Sequence, residues 1–319
     1  MTPANTIMQI FVSGSLAYDR IMDFPGRFSD HIMPDKLHIL NVSFTVEGLV
    51  ERPGGTAGNI AYALSLLGEK PTIMATIGRD YQRYFQWLEK HDVPCDGIRI
   101  IQDEVTASAY ITTDRADNQI TAFNPGAMKH PSRFDLDTAE PGNSIGIVAP
   151  GNLEDMMAYT RAYQARGINY IFDPGQSIPA WDGKQMSECI SGAAMLVSND
   201  YELGMVMERT SLGKEDLLQR TGAVVTTKGE HGSIITTLGG DVLVPAISRP
   251  ETLVDPTGAG DAYRGGLIKG LIDGKSLVDS ARLGTVCASF AIECQGTQEY
   301  TFTLEQFNAR LREAFGQGV

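Results

Sequence analysis

The chain has 319 residues, 42% hydrophobic and 20% charged, which is ordinary globular usage and excludes disordered and fibrous classes. Lys and Arg number 26 against 39 Asp and Glu, a net charge of −13 with no dense basic run, so neither nucleic acid nor anionic membrane is expected as a partner. MTPANTIMQIFVSGS has no basic start and no stretch nears the about 18 apolar residues of a membrane span, so a cytoplasmic protein is expected.

The length suits one large α/β domain or two smaller ones, because single cores stop growing near about 250 to 300 residues. In chain order the β-rich run MQIFVSG is followed by the helical pattern AGNIAYALSLLG, the run PTIMATIG and the helical pattern YQRYFQWLEKH. SIGIVAPG, DMMAYTRAYQARG, INYIFDPG, AAMLVSN, YELGMVM and GAVVTTKG continue the alternation, and from Asp261 onward three helical segments are predicted. Such alternation predicts an α/β fold: a mainly parallel central sheet with helices on both faces.

Two stretches break the rhythm. His38 to Val50 and Val105 to Phe123 are β-rich without intervening helices, and DRADN reads as a hairpin turn in the second. They predict a small β lid, discontinuous in sequence, from residues 15–50 and 105–123. The large α/β unit then takes residues 1–14, 51–104 and 124–319.

Cys95, Cys189, Cys287 and Cys294 are widely spaced without a CxxC pair, and the five histidines show no metal-ligand spacing, so reduced thiols and no zinc site are expected. Chemistry concentrates in LVDPTGAGDAYRGG, Leu253 to Gly266. Gly258, Ala259 and Gly260 let a ligand approach the backbone, and the helical pattern AYRGGLIKGLIDG follows. Unpaired N–H groups and the positive end of a helix dipole would hold an anion there.

Asp261 at this turn reads equally as a helix N-cap or as a base. A carboxylate repels phosphate, yet it is useful if it must accept a proton from a hydroxyl attacking that phosphate. GLIDGKS falls one residue short of a P-loop, and GAGDAY has Tyr263 where GxGxxG needs glycine, so the phosphate site is of another kind.

DPTGAGDAYRGG and the earlier PGGTAGNIAYALSLLG resemble, in order, the two signatures of the ribokinase-like (PfkB) family of small-molecule kinases. NDYE at Asn199 to Glu202 resembles its NxxE element and TKGEHG at Thr227 to Gly232 its TxGxxG loop. NQITAFNPGA, FDPGQSIP and the Tyr-Arg pair after Asp261 are similar to the adenosine and nucleoside kinase branch; Pro256 and Tyr263 depart from many relatives.

The resemblance implies a ribokinase-like fold with Asp261 as general base and Gly258, Ala259 and Gly260 as anion hole. Asp19, Gly55 and Asn59 would bind ribose hydroxyls, and Gln119 and Phe123 would close over the nucleoside. Thr227, Gly229, Gly232 and Asn199 would contact ATP, and Asn199 with Glu202 would organise Mg²⁺ through water. Asp255 and Thr257 are candidates for an activating monovalent cation.

Each residue also has a plainer reading. NxxE before an apolar run is a capping box, the TKGEHG loop an ordinary turn between strands, Asp19 a solvated carboxylate, Asn59 a polar helix-face residue, and Phe123 lid core. Gly54 and Gly55 can simply set a tight turn, and Lys228 and Arg264 are set aside as exposed basic residues.

The expected activity is ATP-dependent phosphorylation of a nucleoside 5'-hydroxyl, adenosine first, with Asp261 ionised at neutral pH. A sugar kinase acting on ribose or fructose and a non-catalytic nucleotide-binding regulator are the alternatives. Monomer and homodimer both remain open.

Overall fold

Alternation of the kind read from the sequence organises the computed structural model, which describes residues 8–39, 41–116, 118–247 and 250–316. In chain order the strands are β1 (Gln9–Ser13), β2 (Ala17–Asp23), β3 (Glu47–Gly54), β4 (Thr72–Gly78), β5 (Ile98–Ile101), β6 (Ala107–Thr113) and β7 (Gln119–Asn124). They continue with β8 (Ser144–Val148), β9 (Asn169–Phe172), β10 (Met195–Asn199), β11 (Val224–Thr227), β12 (Ser233–Thr237) and β13 (Gly240–Val244). The helices are α1 (Thr56–Leu66), α2 (Gln82–Lys90), α3 (Leu153–Arg166), α4 (Gly183–Ile190), α5 (Asp200–Thr210), α6 (Lys214–Arg220), α7 (Ala259–Ile272), α8 (Leu277–Ala291) and α9 (Leu304–Phe315).

Among the described residues the larger sheet has nine strands in the order β13-β12-β11-β10-β9-β8-β1-β4-β5. Strands β5 to β11 of that order run parallel, while β12 and β13 fold back antiparallel. Central strands such as SIGIV are buried at every position, as a sheet covered on both faces requires. One face packs on α1 and α7 through Val12, Ile60, Ile147 and Leu267, the other on α3, α4 and α5 through Phe172, Tyr163, Met186 and Val206.

The order reverses between β1 and β8, where the chain sends β4 and β5 to one side and β9, β10 and β11 to the other. In open α/β sheets a ligand crevice forms beyond the carboxyl ends of the strands at such a reversal.

Helix α7 is held between α1 and α8 by glycines that permit backbone contact. A Cβ on Gly265 would stand 2.5 Å from Ala63 Cβ, and one on Gly266 2.5 Å from Leu283 O. The helix starts at Ala259, earlier than the AYRGG pattern suggests, so Asp261 lies inside its first turn.

The second sheet is four-stranded, in the order β3-β2-β6-β7. Strand β2 was not anticipated, because the charges of Asp19, Arg20 and Asp23 interrupt its apolar pattern. His38 to Val50 is not a strand throughout: Pro34–Ile39 is a 3-10 turn, and β3 starts at Glu47 and runs to Gly54. Phe44 instead packs among Phe24, Phe28 and His31, and Pro53 is tolerated within β3 because β3 is an edge strand.

Strands β6 and β7 form the hairpin expected around DRADN; Asp117 in its turn lies outside the described residues, as do residues 1–7 and 317–319 of the large unit. Asp114 fastens the hairpin, its carboxylate accepting from the N–H groups of Phe28, Ala116 and Asn118 at 2.8 to 2.9 Å. The four cysteines are free, and among the described residues no helix is long and apolar enough to cross a membrane.

Candidate active site

Beyond the carboxyl ends of β8 to β11 lies a cavity of about 460 Å³ bordered by Pro150, Asp173, Asn199, Glu202 and Thr227 on the sheet side. Gly258, Gly260 and Asp261 close it from α7, and Thr56 from α1. A second cavity of about 380 Å³ adjoins it, sharing Thr227, Gly229 and Gly260. Its lining is mostly apolar: Ala246, Ile247, Leu253, Pro256, Tyr263, Ala288 and Ile292, with Ala259 and Gly232. A polar chamber joined to an apolar one through a glycine turn suits a ligand with a charged tail and a flat apolar head.

Gly258 is the N-cap of α7 at φ +81°, a conformation that costs glycine little, and no side chain caps the helix. Ala259 N–H turns back to Pro256 O at 3.2 Å, and Gly258, Gly260 and Asp261 border the polar cavity at the start of α7, where helix amides lack intrahelical partners.

Asp261 is therefore not an N-cap. Its Oδ2 accepts from Asn59 Nδ2 at 2.8 Å, and among the described residues no ion pair reaches it. Burial pushes its carboxyl up to about 6; Arg264 and the Asn59 hydrogen bond work against that rise, and Asp173 and Glu202 add to it. The carboxylate is thus mostly ionised at neutral pH, yet basic enough to take a proton.

Asn59, on α1, is held in turn. Gln298 Nε2 donates to Asn59 Oδ1 at 2.9 Å and to Tyr84 OH at 3.1 Å, while Trp87 Nε1 donates to Gln298 Oε1 at 2.8 Å. Tyr84 OH donates to Gly54 O at 2.7 Å, so the chain of bonds ends where β3 meets α1.

Gly55, at φ +89°, caps α1; a Cβ there would meet Ser15 O at 2.6 Å, so the turn and the close approach both demand glycine. Asp19 lies beside it, its Oδ2 2.6 Å from where a Cβ on Gly54 would stand. Burial raises the Asp19 carboxyl to about 6, with Arg52 opposing and Asp255 reinforcing the rise. Asp255 itself accepts from the N–H groups of Thr257 at 2.9 Å and Gly296 at 3.1 Å.

Gln119 and Phe123 do not line either cavity. Both are exposed on the edge strand β7, although Phe123 stands in one row with Ala109 and Asp19 across three strands. Thr227, Gly229 and Gly232 form the hairpin turn between β11 and β12, the plainer reading of that loop, and they border the apolar cavity.

NDYE likewise takes its plainer reading and borders a cavity. Asn199 Oδ1 accepts from Glu202 N–H at 2.7 Å and Glu202 Oε2 from Asn199 N–H at 2.8 Å, a capping box on α5 whose members border the polar cavity. Among the described residues no group of three or more His, Cys, Asp or Glu is gathered to hold a metal directly. With one Glu202 oxygen committed to the cap, the donors fit a hard cation held through water and phosphate oxygens.

Arg264 overturns its reading as an exposed base: it is 6% exposed and ion-paired with Asp173, Nη2 donating to Oδ1 at 2.8 Å. Its guanidinium is held above its ordinary value because Asp173, Asp261 and Glu202 outweigh the opposing effect of burial. Asp173 follows β9 in FDPG, where an acid ending a buried strand was the available signal; Gln298 lies in a segment with no local signal.

A model of the pfkB family of carbohydrate kinases matches residues 17–303. The chain is 30% identical over 277 residues to the nucleoside kinase of Methanocaldococcus jannaschii, an alignment covering 86% of this chain and 90% of that one. The nucleoside kinase of Burkholderia thailandensis in complex with inosine matches with a TM-score of 0.84 at 38% identity, over 97% of this chain and 98% of that one. Its complex with ADP-inosine gives 0.82 at 39%, over 97% and 96%. Thermotoga maritima ribokinase, 19% identical, shares the fold with a TM-score of 0.80 over 96% of this chain and 100% of that one. The architecture is the ribokinase-like α/β fold.

Proposed function

The chain belongs to the pfkB family of carbohydrate kinases, and from that premise we propose that it transfers the γ-phosphoryl group of ATP to the 5'-hydroxyl of a nucleoside. The observation that carries this reading is Asp261: a buried carboxyl raised to about 6, with no cation bonded to it among the described residues, in the polar cavity beside Gly260, where the apolar cavity joins. The nucleoside class is supported by the relatives from Methanocaldococcus and Burkholderia. Adenosine is the acceptor implied by the sequence resemblance; inosine is the one bound by the Burkholderia enzyme.

In this reading the adenine of ATP enters the apolar cavity and its phosphates pass Gly260 into the polar one. Ribose hydroxyls of the acceptor meet Asp19, with Gly55 and Asn59 beside them. The 5'-oxygen attacks the γ-phosphorus, its proton passes to Asp261, and the bond to the β,γ-bridging oxygen breaks to release ADP. The α7 amides take up charge on the moving phosphoryl, and in-line positioning lowers the barrier further. A bound Mg²⁺, its waters held by Asn199 and Glu202, would neutralise phosphate charge.

A coupled assay with ATP and Mg²⁺ over adenosine, inosine, guanosine, cytidine, ribose and fructose tests the proposal. Turnover with nucleosides at much higher kcat/KM than with sugars is expected. Preference for a free sugar makes the protein a sugar kinase, and nucleotide binding without any phosphorylated product makes it a regulator.

A further inference from the structure

The polar cavity is an unusual container for a triphosphate. Its lining includes Asp173, Asp200, Glu202 and Asp261, and Arg264 is its one cation among the described residues. Oxygen-rich phosphates brought next to these carboxylates need a positive group close to the γ-position, and long-range charge gives none in a chain of net charge −13.

Arg264 sits four residues after Gly260 on α7, and helical side chains lean back over the preceding turn. Asp173 flanks one edge of the guanidinium, accepting from Nη2 and lying against Nε as an ion-pair partner. Nη1 is left over: a Cβ built on Gly260 would stand 2.8 Å from it. The third nitrogen therefore lies against Gly260 in the glycine turn, in a buried side chain that borders the polar cavity.

We propose that Arg264 is a catalytic residue whose Nη1 donates to a non-bridging oxygen of the phosphoryl group in flight, with Asp173 fixing the guanidinium in that pose. This rests on the kinase reading above and adds a donor to it. The branched guanidinium explains why arginine stands here: lysine would satisfy Asp173 and have no second arm for phosphate. It also explains the bare Gly260, since any side chain there would displace Nη1.

The rival role is a buried ion pair that merely joins α7 to the end of β9. Three variants separate the two, each checked by thermal melting and by ADP titration. Arg264→Gln leaves Asp173 buried without its ion-pair partner, so Asp173→Asn combined with Arg264→Gln supplies a neutral pair of similar size. Arg264→Lys keeps the charge on Asp173.

Wild-type turnover of a nucleoside is measured first; its absence defeats the kinase reading itself and not the role of Arg264. Given that turnover, kcat is expected to fall about 100- to 1,000-fold in Arg264→Gln and in the neutral pair, as on loss of one transition-state donor. KM for the nucleoside and the ADP dissociation constant should stay within about threefold, and Arg264→Lys should recover little. A transition-state mimic, ADP with aluminium fluoride and nucleoside, should bind the neutral pair no more tightly than ADP does. Recovery of kcat to within about tenfold of wild type in either the neutral pair or Arg264→Lys overturns the proposal and leaves a packing role. Should Arg264→Gln fail to fold, those two variants decide the matter.

Discussion

Asn59 donates its side-chain amide to the Asp261 carboxylate at 2.8 Å across 202 positions of sequence. The bond joins the first turn of α1 to the first turn of α7, the two helices whose starts meet at the cavity. It uses one carboxylate oxygen, so in the proposed reaction positioning and proton uptake fall to different atoms of one group.

Replacing Asp261 by Asn should preserve that bond, with the new amide oxygen as acceptor, and remove the base. Turnover is expected to drop about 10²- to 10⁴-fold while ATP still binds. Stability should move the other way. A carboxyl whose folded value is raised from 3.8 to about 6 stabilises the fold fully only below the lower value, and that contribution is lost as pH rises through the upper one. Asp261→Asn should then be more stable than wild type at pH 7.5 by about 2 to 3 kcal/mol, the gap closing towards pH 4. Urea unfolding at three pH values checks this; a gap independent of pH would remove the burial argument.

Gln298 fixes which way the Asn59 amide points. Its Nε2 donates to Asn59 Oδ1, and Trp87 fills its own oxygen, so Asn59 is left with only its NH₂ to offer Asp261. Gln298→Met keeps the volume and removes both functions. Melting should show a loss of about 1 to 3 kcal/mol from the buried partners left unpaired. Because the Asn59 bond lowers the Asp261 value, loosening it should move the acid limb of kcat to higher pH, with kcat down about tenfold and KM little changed. An unmoved pH limb would mean that Gln298 only packs.

These contrasts mark what the sequence could show. SIGIV and AYALSLL declare strand and helix because continuous or periodic burial is written in consecutive residues. GAGD marks a turn into a helix beside a cavity because the glycines that permit it are adjacent in sequence. Gln298 and Asp173 reach the site only after the chain has folded around the sheet, and no neighbour of either in sequence reports their partners. Arg264 was visible as a residue and hidden as an ion pair, since burial is a tertiary property. β2 was missed for a related reason: Asp19 and Arg20 point to opposite faces of a sheet, one bearing the ribose candidate and the other bonded to Glu51 and Tyr110.

Asp19 shares the titration range of Asp261, since burial lifts both to about 6. Both must be ionised for the proposed reaction, one to accept ribose hydroxyls and one to accept the proton. The acid limb of kcat/KM in the wild type should accordingly steepen towards a slope of two. Asp19→Asn should leave a slope of one, raise KM for the nucleoside about 10- to 100-fold, and change kcat only a few-fold, as expected for lost hydrogen bonds to a charged group. A slope of two that survives the substitution would place the second titration elsewhere.

The register of the small sheet makes the last prediction. Asp19 pairs with Ala109 and Ala109 with Phe123, so the three side chains stand in one row on one face, Asp19 and Phe123 about 9 to 10 Å apart at two strand spacings. That span matches a nucleoside with its ribose at Asp19 and its base under the ring, and Phe123, 53% exposed, is free to meet one. Gln119 is on the same face but in the row of Thr113 and Asp23, further along the strands. Phe123→Ala should raise KM for a nucleoside about tenfold, the worth of one aromatic contact, and leave KM for ATP unchanged. Ribose, which has no base, should be phosphorylated equally by both forms, and Gln119→Ala should have the smaller effect on nucleosides. Equal loss with ribose and nucleoside would show that Phe123 supports the sheet and does not contact the base.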